Sequence, residues 1–363
     1  MAVEAMTIYL FTSLDLVLIK NMLTGKTTLV TGCSGLLGPW LCTALIEAGA
    51  KVIGLDKEFP SFSRIHNLAN KMQFVEGNVQ DDKLILHLLK ENNVTFIYHL
   101  AAQALVGIAA RDPVGTFRDN IAGTWNILEA ARQRRDKDGQ YCGVLLASSD
   151  KAYGDQPNLP YLENSPLQGQ YPYDVSKSCA DLIAQSYFHS YQLPVCIARC
   201  GNLYGAGDLN FSRIVPGTIV SLLRGERPII RSDGSPIRDY IYVEDAAQAY
   251  RQISEAMLRT DKLNGEAFNI SNDEPVSVLE VVDLLRELLG RVDLIPQIEG
   301  TASLEILAQY LNSEKIREAI GWRPKHTLKE GLQEAIKWYR EYVTRGGENF
   351  MPGGVELASN VVY

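Results

Sequence analysis

Short runs of apolar residues recur along the first 200 residues, and between them lie longer segments whose apolar positions follow helical spacing. Each run has the length of a buried strand and is bounded by polar or glycine-containing stretches. The predicted strands are Thr27–Val30, Lys51–Leu55, Gln73–Val75, Val94–His99, Gly143–Ala147 and Val195–Ala198. The helices predicted between them include Leu84–Lys90, Thr124–Arg134 and Ser176–Tyr191. This alternation predicts βαβ units, a parallel sheet and a doubly wound α/β fold.

The rhythm changes after about residue 200. Loops rich in glycine, asparagine and aspartate interrupt shorter elements, and three helical segments follow: Val276–Leu289, Ser313–Ile320 and Leu328–Thr344. This part is interpreted as a smaller, mixed α/β lobe at the carboxyl ends of the strands, where ligands bind in open α/β sheets. The predicted division is an N-terminal extension (1–21), a sheet domain (22–200 with 236–258), a lobe (201–235 with 259–345) and a tail (346–363).

Composition narrows the class of protein. The chain has 363 residues, of which 46% are apolar and 21% charged, so it can bury a full core and is not disordered, collagen-like or a coiled coil. Its formal charge of −8 gives no general attraction to nucleic acid or to an anionic membrane. We therefore expect no nucleic-acid or membrane partner, and any anionic ligand needs a local binding device.

The cysteines and the N-terminal segment bear on the compartment. None of the six cysteines forms a Cys-x-x-Cys pair or accompanies a histidine cluster, so we expect buried thiols in a reducing, cytoplasmic compartment and no metal site. The apolar stretch Met6–Ile19 follows Glu4 and is interrupted by Asp15, which is atypical of a signal peptide or a membrane span. It is interpreted as an extra docked element, or as residues upstream of a true start at Met22.

Three glycines lie between the first predicted strand and the helix that follows it. Their spacing is Gly32-x-x-Gly35-x-x-Gly38, in which glycine permits a tight turn and lets backbone N–H groups approach a pyrophosphate at the helix N-terminus. Asp56 ends the second strand, 18 residues after Gly38, where a carboxylate accepts both hydroxyls of an adenosine ribose and repels a 2′-phosphate. The pattern predicts an NAD site, rather than an NADP site; the alternative is a structural turn with an unrelated surface aspartate.

Tyr173 and Lys177 are four residues apart at the start of a predicted helix, so they lie on one face of it. An ammonium group and a cationic nicotinamide both favour tyrosinate, which makes Tyr173 a usable base near neutral pH. The alternative is a Tyr/Lys pair on a solvated helix surface. The glycine loop upstream favours the catalytic interpretation.

Together these motifs resemble the NAD-dependent epimerase/dehydratase branch of the extended short-chain dehydrogenase/reductase family. The resemblance runs from about Met22 to Tyr342 and is carried by Thr31–Gly38, His99–Ala102, Ser149, Tyr173 with Lys177, and Arg238–Asp245. It implies a Rossmann NAD domain, a nucleotide-sugar lobe and a homodimer formed through a four-helix bundle. The cofactor-binding residues that motif and resemblance imply are Gly32, Gly35, Leu36, Leu37, Gly38, Asp56, Asn78, Val79, Leu100, Ala101, Ala102, Tyr173 and Lys177.

The segment that follows the fifth strand distinguishes chemistries within this family. Ser149 matches the residue that hydrogen-bonds the sugar 4-hydroxyl beside Tyr173. Sugar 4-epimerases usually have small or non-ionising residues at the next two positions, whereas 4,6-dehydratases have an acid and a second proton-transfer residue. Here these are Asp150 and Lys151, a pair that resembles the CDP-glucose 4,6-dehydratase branch. The alternatives are a 4-epimerase, a non-catalytic NAD-binding sensor or scaffold, and an Asp150–Lys151 ion pair without chemistry.

The resemblance implies a reaction in which the sugar is oxidised, dehydrated and reduced again. Tyr173 takes the O4 proton as hydride leaves C4, and the resulting ketone acidifies C5. Lys151, neutral where burial and nearby positive charge lower its pKa, removes the C5 proton. Protonated Asp150 donates to the departing O6. Hydride then returns to C6 and a proton to C5, which gives a 4-keto-6-deoxy sugar nucleotide.

An acidic protein needs a local clamp for the diphosphate of such a substrate. By resemblance, Arg238 is the nucleotide-phosphate arginine, Asn202 contacts the diphosphate, and Ile214 lies in the segment that lines the base pocket. Arg213 is a second candidate clamp, with a surface ion pair as the alternative. Asn78 departs from the family, which usually has an aspartate near the adenine. The lobe also differs, so CDP, UDP, GDP and dTDP all stay open as the nucleotide.

Overall fold

The computed structural model describes residues 22–58, 67–134, 139, 141–301 and 306–346. The predicted N-terminal extension and, apart from residue 346, the predicted tail lie outside the described residues. Within the described ranges, no helix has both the length and the apolar character needed to cross a membrane.

The strands of the described residues are numbered in chain order. They are β1 (Thr27–Thr31), β2 (Lys51–Asp56), β3 (Gln73–Glu76), β4 (Phe96–His99), β5 (Gly143–Ser149), β6 (Val195–Cys200), β7 (Asn202–Tyr204), β8 (Ile229–Ile230), β9 (Ile237–Tyr242), β10 (Ala267–Ile270), β11 (Pro275–Ser277), β12 (Gln297–Ile298) and β13 (Ala308–Gln309).

The α-helices of the same residues are α1 (Leu37–Glu47), α2 (Asp82–Glu91), α3 (Val106–Arg111), α4 (Pro113–Phe117), α5 (Gly123–Gln133), α6 (Pro172–Tyr191), α7 (Ile214–Arg224), α8 (Val243–Met257), α9 (Val278–Leu289), α10 (Glu314–Ile320) and α11 (Leu328–Thr344). A π-helical turn, Arg118–Ala122, joins α4 to α5, and a 3₁₀ turn, Asp150–Tyr153, follows β5.

Seven parallel strands form the main sheet in the order β10-β6-β5-β4-β1-β2-β3. The central strands are buried on both faces, as their continuous apolar runs require, because helices cover both sides of the sheet. The chain order reverses between β1 and β4, which opens a crevice at the carboxyl ends of these strands. The predicted doubly wound α/β fold is confirmed, and all six predicted strands are present.

The structure differs from the predicted division at two segments. Strand β10, predicted in the lobe, pairs with β6 and completes the edge of the main sheet. Strand β9, predicted in the sheet domain, instead pairs with β7 and β13 in parallel and with β11 antiparallel. Both errors have one physical cause: a short apolar strand shows that it is buried but does not show which neighbour it pairs with.

The lobe lies across the carboxyl ends of the main sheet. Helix α8 follows β9 and packs on α1, so the lobe strand is connected directly to the main body. Helices α9 and α11 both begin with a capping box, Ser277 with Glu280 and Thr327 with Glu330, which satisfies N–H groups of the first turn. Strand β13 of the lobe, which pairs with β9, contacts the turn that follows β5.

Candidate active site

The turn after β1 forms a cradle whose three glycines have different roles. Gly32 has φ +69°, and a Cβ there would lie 2.7 Å from the Ala101 nitrogen. A Cβ on Gly38 would lie 2.4 Å from the Cys33 carbonyl oxygen, so packing requires glycine at both positions. A Cβ on Gly35 would meet only the Gly32 oxygen, at 3.5 Å. Protein packing does not explain Gly35, whereas close approach of a ligand to the backbone does.

Asp56 lies opposite this cradle at the end of β2. Its Oδ2 accepts from the Ser34 N–H at 2.8 Å, and its Oδ1 accepts from the Lys57 N–H at 2.8 Å. The carboxylate is half-buried and keeps lone pairs for ribose hydroxyls. Helix α1 begins nearby without a side-chain cap, so its first N–H groups are available to an anion. The donor set and the open cradle fit a dinucleotide such as NAD.

The other predicted cofactor residues gather around the same crevice. The Leu100 N–H donates to the Thr31 carbonyl at 3.1 Å, and the Ala101 N–H to the Thr31 hydroxyl at 3.3 Å, which ties the loop after β4 to the glycine turn. Ala102 continues that loop. Asn78 accepts from the Gln80 N–H at 2.9 Å and shapes the turn after β3. The remaining members are Leu36 and Leu37 at the start of α1 and the buried Val79.

The predicted catalytic side chains meet where β5 ends and α6 begins. The Ser149 hydroxyl donates to Asp150 Oδ1 at 2.8 Å and accepts from the Lys151 N–H at 3.2 Å. Tyr173 is buried, and its hydroxyl lies close enough to Ser149 for that side chain to lower the pKa of the phenol. Lys177 follows one turn later and donates from Nζ to the Ala147 carbonyl at 2.9 Å. The structure thus brings together all five predicted catalytic residues.

The electrostatics of Tyr173 differ from the expectation. Burial, followed by the Asp150 carboxylate, raises the pKa of the phenol above its ordinary value, while the Arg213 guanidinium and the Ser149 hydrogen bond act in the opposite direction. Burial also lowers the pKa of Lys177 to about 8. Arg213 is therefore a cation that favours tyrosinate from within the protein, and Lys177 donates to a backbone carbonyl. This effect of Arg213 on Tyr173 could not be predicted from the sequence, because the two residues are 40 positions apart in the chain.

Asp150 and Lys151 have distinct surroundings although they are adjacent in sequence. Asp150 is 2% exposed, and its Oδ2 has no hydrogen-bond partner among the described residues. Lys151 is partly exposed, and its Nζ donates to Oε1 of Gln309 on β13. Asp174 on α6 is electrostatically coupled to both: burial raises the pKa of Asp174 to about 6, and Lys151 opposes that rise. The charge that Asp174 brings to Lys151 is negative, in contrast to the positive environment that was expected.

Asp174 and Gln309 were therefore missed as site residues. Asp174 had a usable signal, since it directly follows Tyr173 and an acid there lies beside the predicted base. Gln309 had none, because it lies 158 residues from Lys151 in a two-residue strand. A cavity of about 310 Å³ opens beside Asp174 and Tyr171, with Ser232, Pro236 and Leu307 on its lobe side.

The predicted substrate residues lie in the lobe and at its border. Asn202 begins β7, and its buried Nδ2 has no partner among the described residues, which leaves a donor for a ligand. Arg238 is buried in β9 and donates to the Ile237 carbonyl at 2.8 Å. Arg213 forms the ion pair that was the alternative to a phosphate clamp, with Asp208 at 3.0 Å, and directly precedes Ile214 at the start of α7.

The six cysteines are all free thiols, and five are buried; Cys179 is partly exposed, contrary to the expectation that all are buried. In the described part of the chain, no three His, Cys, Asp or Glu side chains are grouped so that they could hold a metal ion.

Comparisons with known proteins agree with this geometry. A family model described as GDP-mannose 4,6 dehydratase matches residues 29–335. The chain is 30% identical over 340 residues to CDP-glucose 4,6-dehydratase of Salmonella typhimurium, which covers 89% of this chain and 93% of the relative. It is 29% identical over 334 residues to human dTDP-D-glucose 4,6-dehydratase, which covers 87% and 90%.

Solved structures extend the comparison. The dTDP-glucose 4,6-dehydratase of Bacillus anthracis, in complex with NAD, has a TM-score of 0.77 and 27% identity, covering 87% of this chain and 97% of that one. The UDP-glucose 4-epimerase of Thermotoga maritima, with UDP-glucose, has a TM-score of 0.79 and 27% identity, covering 87% and 99%. With the site geometry and a family match over most of its length, the chain belongs to the GDP-mannose 4,6 dehydratase family.

Proposed function

We propose that this protein is an NAD-dependent 4,6-dehydratase that converts a nucleoside-diphosphate hexose into the 4-keto-6-deoxy sugar nucleotide. The observation that carries the proposal is the placement of Asp150 and Lys151 directly after Ser149, within the site that holds Tyr173 and Lys177. A simple oxidation and reduction at C4 requires only the serine, tyrosine and lysine. An acid and an amine at the same site give a means of removing water.

The glycine turn, the N-terminus of α1 and Asp56 would hold the cofactor. When bound, NAD supplies a reversible hydride acceptor for the sugar carbons, and it is regenerated within one reaction cycle. The Asp56 carboxylate disfavours a ribose 2′-phosphate in the same place, which supports NAD over NADP. The NAD complex of the related Bacillus anthracis structure supports the same choice.

The first step needs a base at the sugar 4-hydroxyl. Tyr173 takes the O4 proton as hydride leaves C4, and Ser149 orients the same oxygen through its hydroxyl. Because burial and Asp150 raise the pKa of Tyr173, ionisation depends on positive charge from Arg213 and from the bound cofactor. The hydrogen bond from Lys177 Nζ to the Ala147 carbonyl connects α6 to β5 beneath the site.

The second step removes water from C5 and C6. Lys151 takes the C5 proton, which the adjacent ketone has made acidic, and the electron pair forms the C5–C6 double bond. Asp150 donates a proton to O6, so that the oxygen leaves as water. Its buried Oδ2 is the oxygen without a protein partner, and it is free to serve the substrate. Hydride then adds to C6, and the Lys151 ammonium returns a proton to C5. The proton that Tyr173 took from O4 replaces, through solvent, the one that Asp150 gave to O6, so that the reaction balances.

For the substrate, we propose a CDP-glucose-like nucleotide hexose. The Asp150–Lys151 pair supports this choice, as does the similarity to the Salmonella typhimurium enzyme. Arg238 and Asn202 are proposed to bind the diphosphate, Arg213 to assist them, and Ile214 to line the base pocket. Relatives named for dTDP-glucose and UDP-glucose keep those nucleotides as competing candidates.

A second candidate is a nucleotide-sugar 4-epimerase. The structural similarity to the Thermotoga maritima 4-epimerase favours it, because that fold supports inversion at C4. Asp150 and Lys151 have no task in such a reaction. A non-catalytic NAD sensor is the third candidate, but it gives no reason to bring Ser149, Tyr173 and Lys177 together.

We further propose a homodimer in which α5 and α6 of each copy form a four-helix bundle. Three large apolar side chains on these helices are solvent-exposed in the single chain: Trp125 at 47%, Leu182 at 52% and Tyr191 at 48%. Exposed apolar side chains on two adjacent helices mark a surface suited to a second copy. Helices α3 and α4, which contact α6, expose Val106, Ile108 and Val114.

Product analysis in D2O tests the proposed function. The purified protein is incubated with CDP-, UDP-, GDP- and dTDP-hexoses, and the products are read by mass spectrometry and NMR. We expect a 4-keto-6-deoxy sugar with deuterium at C5 from one nucleotide. Inversion at C4 without solvent deuterium would replace the dehydratase by the 4-epimerase. Retained NAD with no turnover of any sugar would favour the sensor.

A further inference from the structure

The contact between Lys151 and Gln309 joins two parts of the molecule that are far apart in sequence. Lys151 lies in the 3₁₀ turn after β5, and its Nζ donates to Oε1 of Gln309 on β13. Gln309 has no exposed surface. The lobe thus contacts the catalytic turn of the sheet domain through the Gln309 amide.

The backbone holds Gln309 in place from both sides. On one side, β13 pairs with β9, where Gln309 lies in register with Arg238. On the other, the segment around Tyr161 bonds to the residues that follow Gln309: the Tyr161 N–H donates to the Tyr310 carbonyl at 2.9 Å, and the Asn312 N–H to the Tyr161 carbonyl at 3.0 Å. The fold therefore sets the backbone position from which the Gln309 amide reaches Lys151.

Fold stability alone does not explain a glutamine at this place. The Nε2 of Gln309 is buried and has no hydrogen-bond partner at ordinary distance and angle among the described residues, although the amide lies close enough to Tyr161 to lower the pKa of that phenol. A buried donor without a partner destabilises a folded protein, whereas an apolar side chain of the same size would not. The buried amide thus destabilises the fold, and its contact with Lys151 must compensate for this loss of stability.

The amide also differs from a carboxylate in what it does to an amine. Its oxygen accepts from an ammonium and from a neutral amine, so it can hold Lys151 before and after proton transfer. A carboxylate would favour the ammonium and weaken the base. The other charged or titratable groups near this contact are Asp150 in the same turn, Asp174 on α6, Arg238 with Asp239 on β9, and the buried phenol of Tyr161.

We propose that Gln309 is a positioning residue, whose neutral amide oxygen holds the Lys151 amine at C5 of the sugar and stabilises its protonated form less than a carboxylate would. The inference rests on the proposed function, in which Lys151 removes the C5 proton. It also assigns the lobe a part in the elimination itself, beyond binding the nucleotide.

The first test reads the lysine directly and needs no turnover. The purified full chain is labelled with acetic anhydride across a pH series, and modification of Lys151 is followed by peptide mass spectrometry. In Q309E we expect the midpoint of Lys151 labelling to move up by about 1 pH unit or more, because a carboxylate replaces the amide. In Q309M, which has similar volume and no amide oxygen, we expect no upward movement. Q297E makes the same charge change at an exposed lobe position and should leave the midpoint unchanged.

The second test uses the reaction. In Q309M we expect product formation to fall by roughly 10²-fold, with the cofactor still reduced by the sugar, because only the C5 step loses its geometry. In Q309E the loss should be relieved at high pH, and Q309N should recover part of the activity. Circular dichroism checks that each variant is folded.

The outcomes separate the two proposals. An unchanged Lys151 midpoint in Q309E, or full activity of Q309M at every pH, would overturn the role of Gln309. A shifted midpoint together with a wild-type protein that dehydrates no sugar nucleotide would support the contact and overturn the dehydratase. If Q309E does not fold, Q309M and Q309N decide the matter through the C5 exchange rate in D2O.

Discussion

Arg199 of β6 and Asp181 of α6 form a two-point ion pair in the protein interior. Arg199 Nε lies 2.8 Å from Asp181 Oδ2, and its second terminal nitrogen lies 2.9 Å from Oδ1, with both side chains almost fully buried. The same guanidinium donates to the Tyr153 hydroxyl at 2.9 Å. The pair therefore connects the helix that carries Tyr173 to the turn that carries Lys151.

Removing one charge of this pair should strongly destabilise the folded protein. In Asp181→Asn the Arg199 guanidinium stays buried without its counter-charge, so we expect a loss of about 3–5 kcal/mol in the free energy of unfolding. Urea denaturation followed by circular dichroism measures it. Glu129→Gln, which removes the half-exposed partner of Arg132, should cost no more than about 1 kcal/mol. Equal losses in the two variants would contradict a special role for the buried pair.

The glycine turn offers a pair of variants that separate ligand approach from packing. Gly35→Ala meets only the Gly32 oxygen at ordinary contact distance, so the fold should keep its melting temperature while NAD affinity falls. Gly38→Ala places a Cβ 2.4 Å from the Cys33 carbonyl and should lower the melting temperature. Calorimetric titration with NAD and thermal melts test both. Full NAD affinity in Gly35→Ala would contradict a pyrophosphate at this turn.

Loss of the Tyr173 hydroxyl should stop the reaction without emptying the cofactor site. In Tyr173→Phe we expect turnover to fall by at least about 10²-fold, because the O4 proton has no base. Calorimetry should show NAD affinity close to that of the native chain. Tyr187→Phe removes a hydroxyl on the same helix, bonded to Glu129 at 3.2 Å, and should keep its activity. A Tyr173→Phe enzyme with native turnover would exclude the proposed base.

The buried carboxyl of Asp239 should make stability depend on pH. Burial raises its pKa to about 7, so between about pH 4 and 7 the folded chain keeps a proton that the unfolded chain has lost. Stability contributed at this group therefore falls as pH rises. Asp239→Asn keeps an acceptor for the Ser271 hydroxyl, and we expect it to gain stability relative to the native chain from pH 4 to pH 7.

Denaturant unfolding at several pH values measures that difference. Exposed Asp233 gives a control of opposite sign: hydrogen bonds from Ser235 lower its pKa, so Asp233→Asn should lose a little stability relative to the native chain as pH rises through the acidic range. A stability difference for Asp239→Asn that does not vary with pH would contradict a protonated Asp239.

The exposed apolar face of α5 and α6 should control the oligomeric state. Leu182→Glu places a charge in the proposed bundle, so we expect a dimer in the native chain and a monomer in the variant by sedimentation equilibrium. Val292→Glu changes an equally exposed apolar residue in the lobe, 61% exposed, and should leave the mass unchanged. A monomeric native chain, or a dimeric Leu182→Glu variant, would contradict the bundle.

Local patterns in the sequence were sufficient for most of the sheet and for the catalytic core. Each strand of the first 200 residues is a short apolar run, and Tyr173 and Lys177 are neighbours by helical periodicity. The features that escaped prediction depend on long-range pairing. Gln309 reaches Lys151 only because β13 pairs with β9, and Arg213 influences Tyr173 only because α7 begins beside the site. Single-sequence patterns contain no information on such contacts.

Strand β10 lies far along the chain from the other strands of the main sheet, which matters when part of the protein is expressed alone. Six strands of the main sheet are complete by Cys200, but the seventh comes from Ala267–Ile270, after the chain has passed through β7, β8 and β9. A fragment that stops at Cys200 would leave β6, whose six residues are all buried, as an open sheet edge. Such an edge invites pairing with other chains. The cofactor half is therefore expected to aggregate when it is expressed alone, and to need the segment through Ile270 to stay monodisperse.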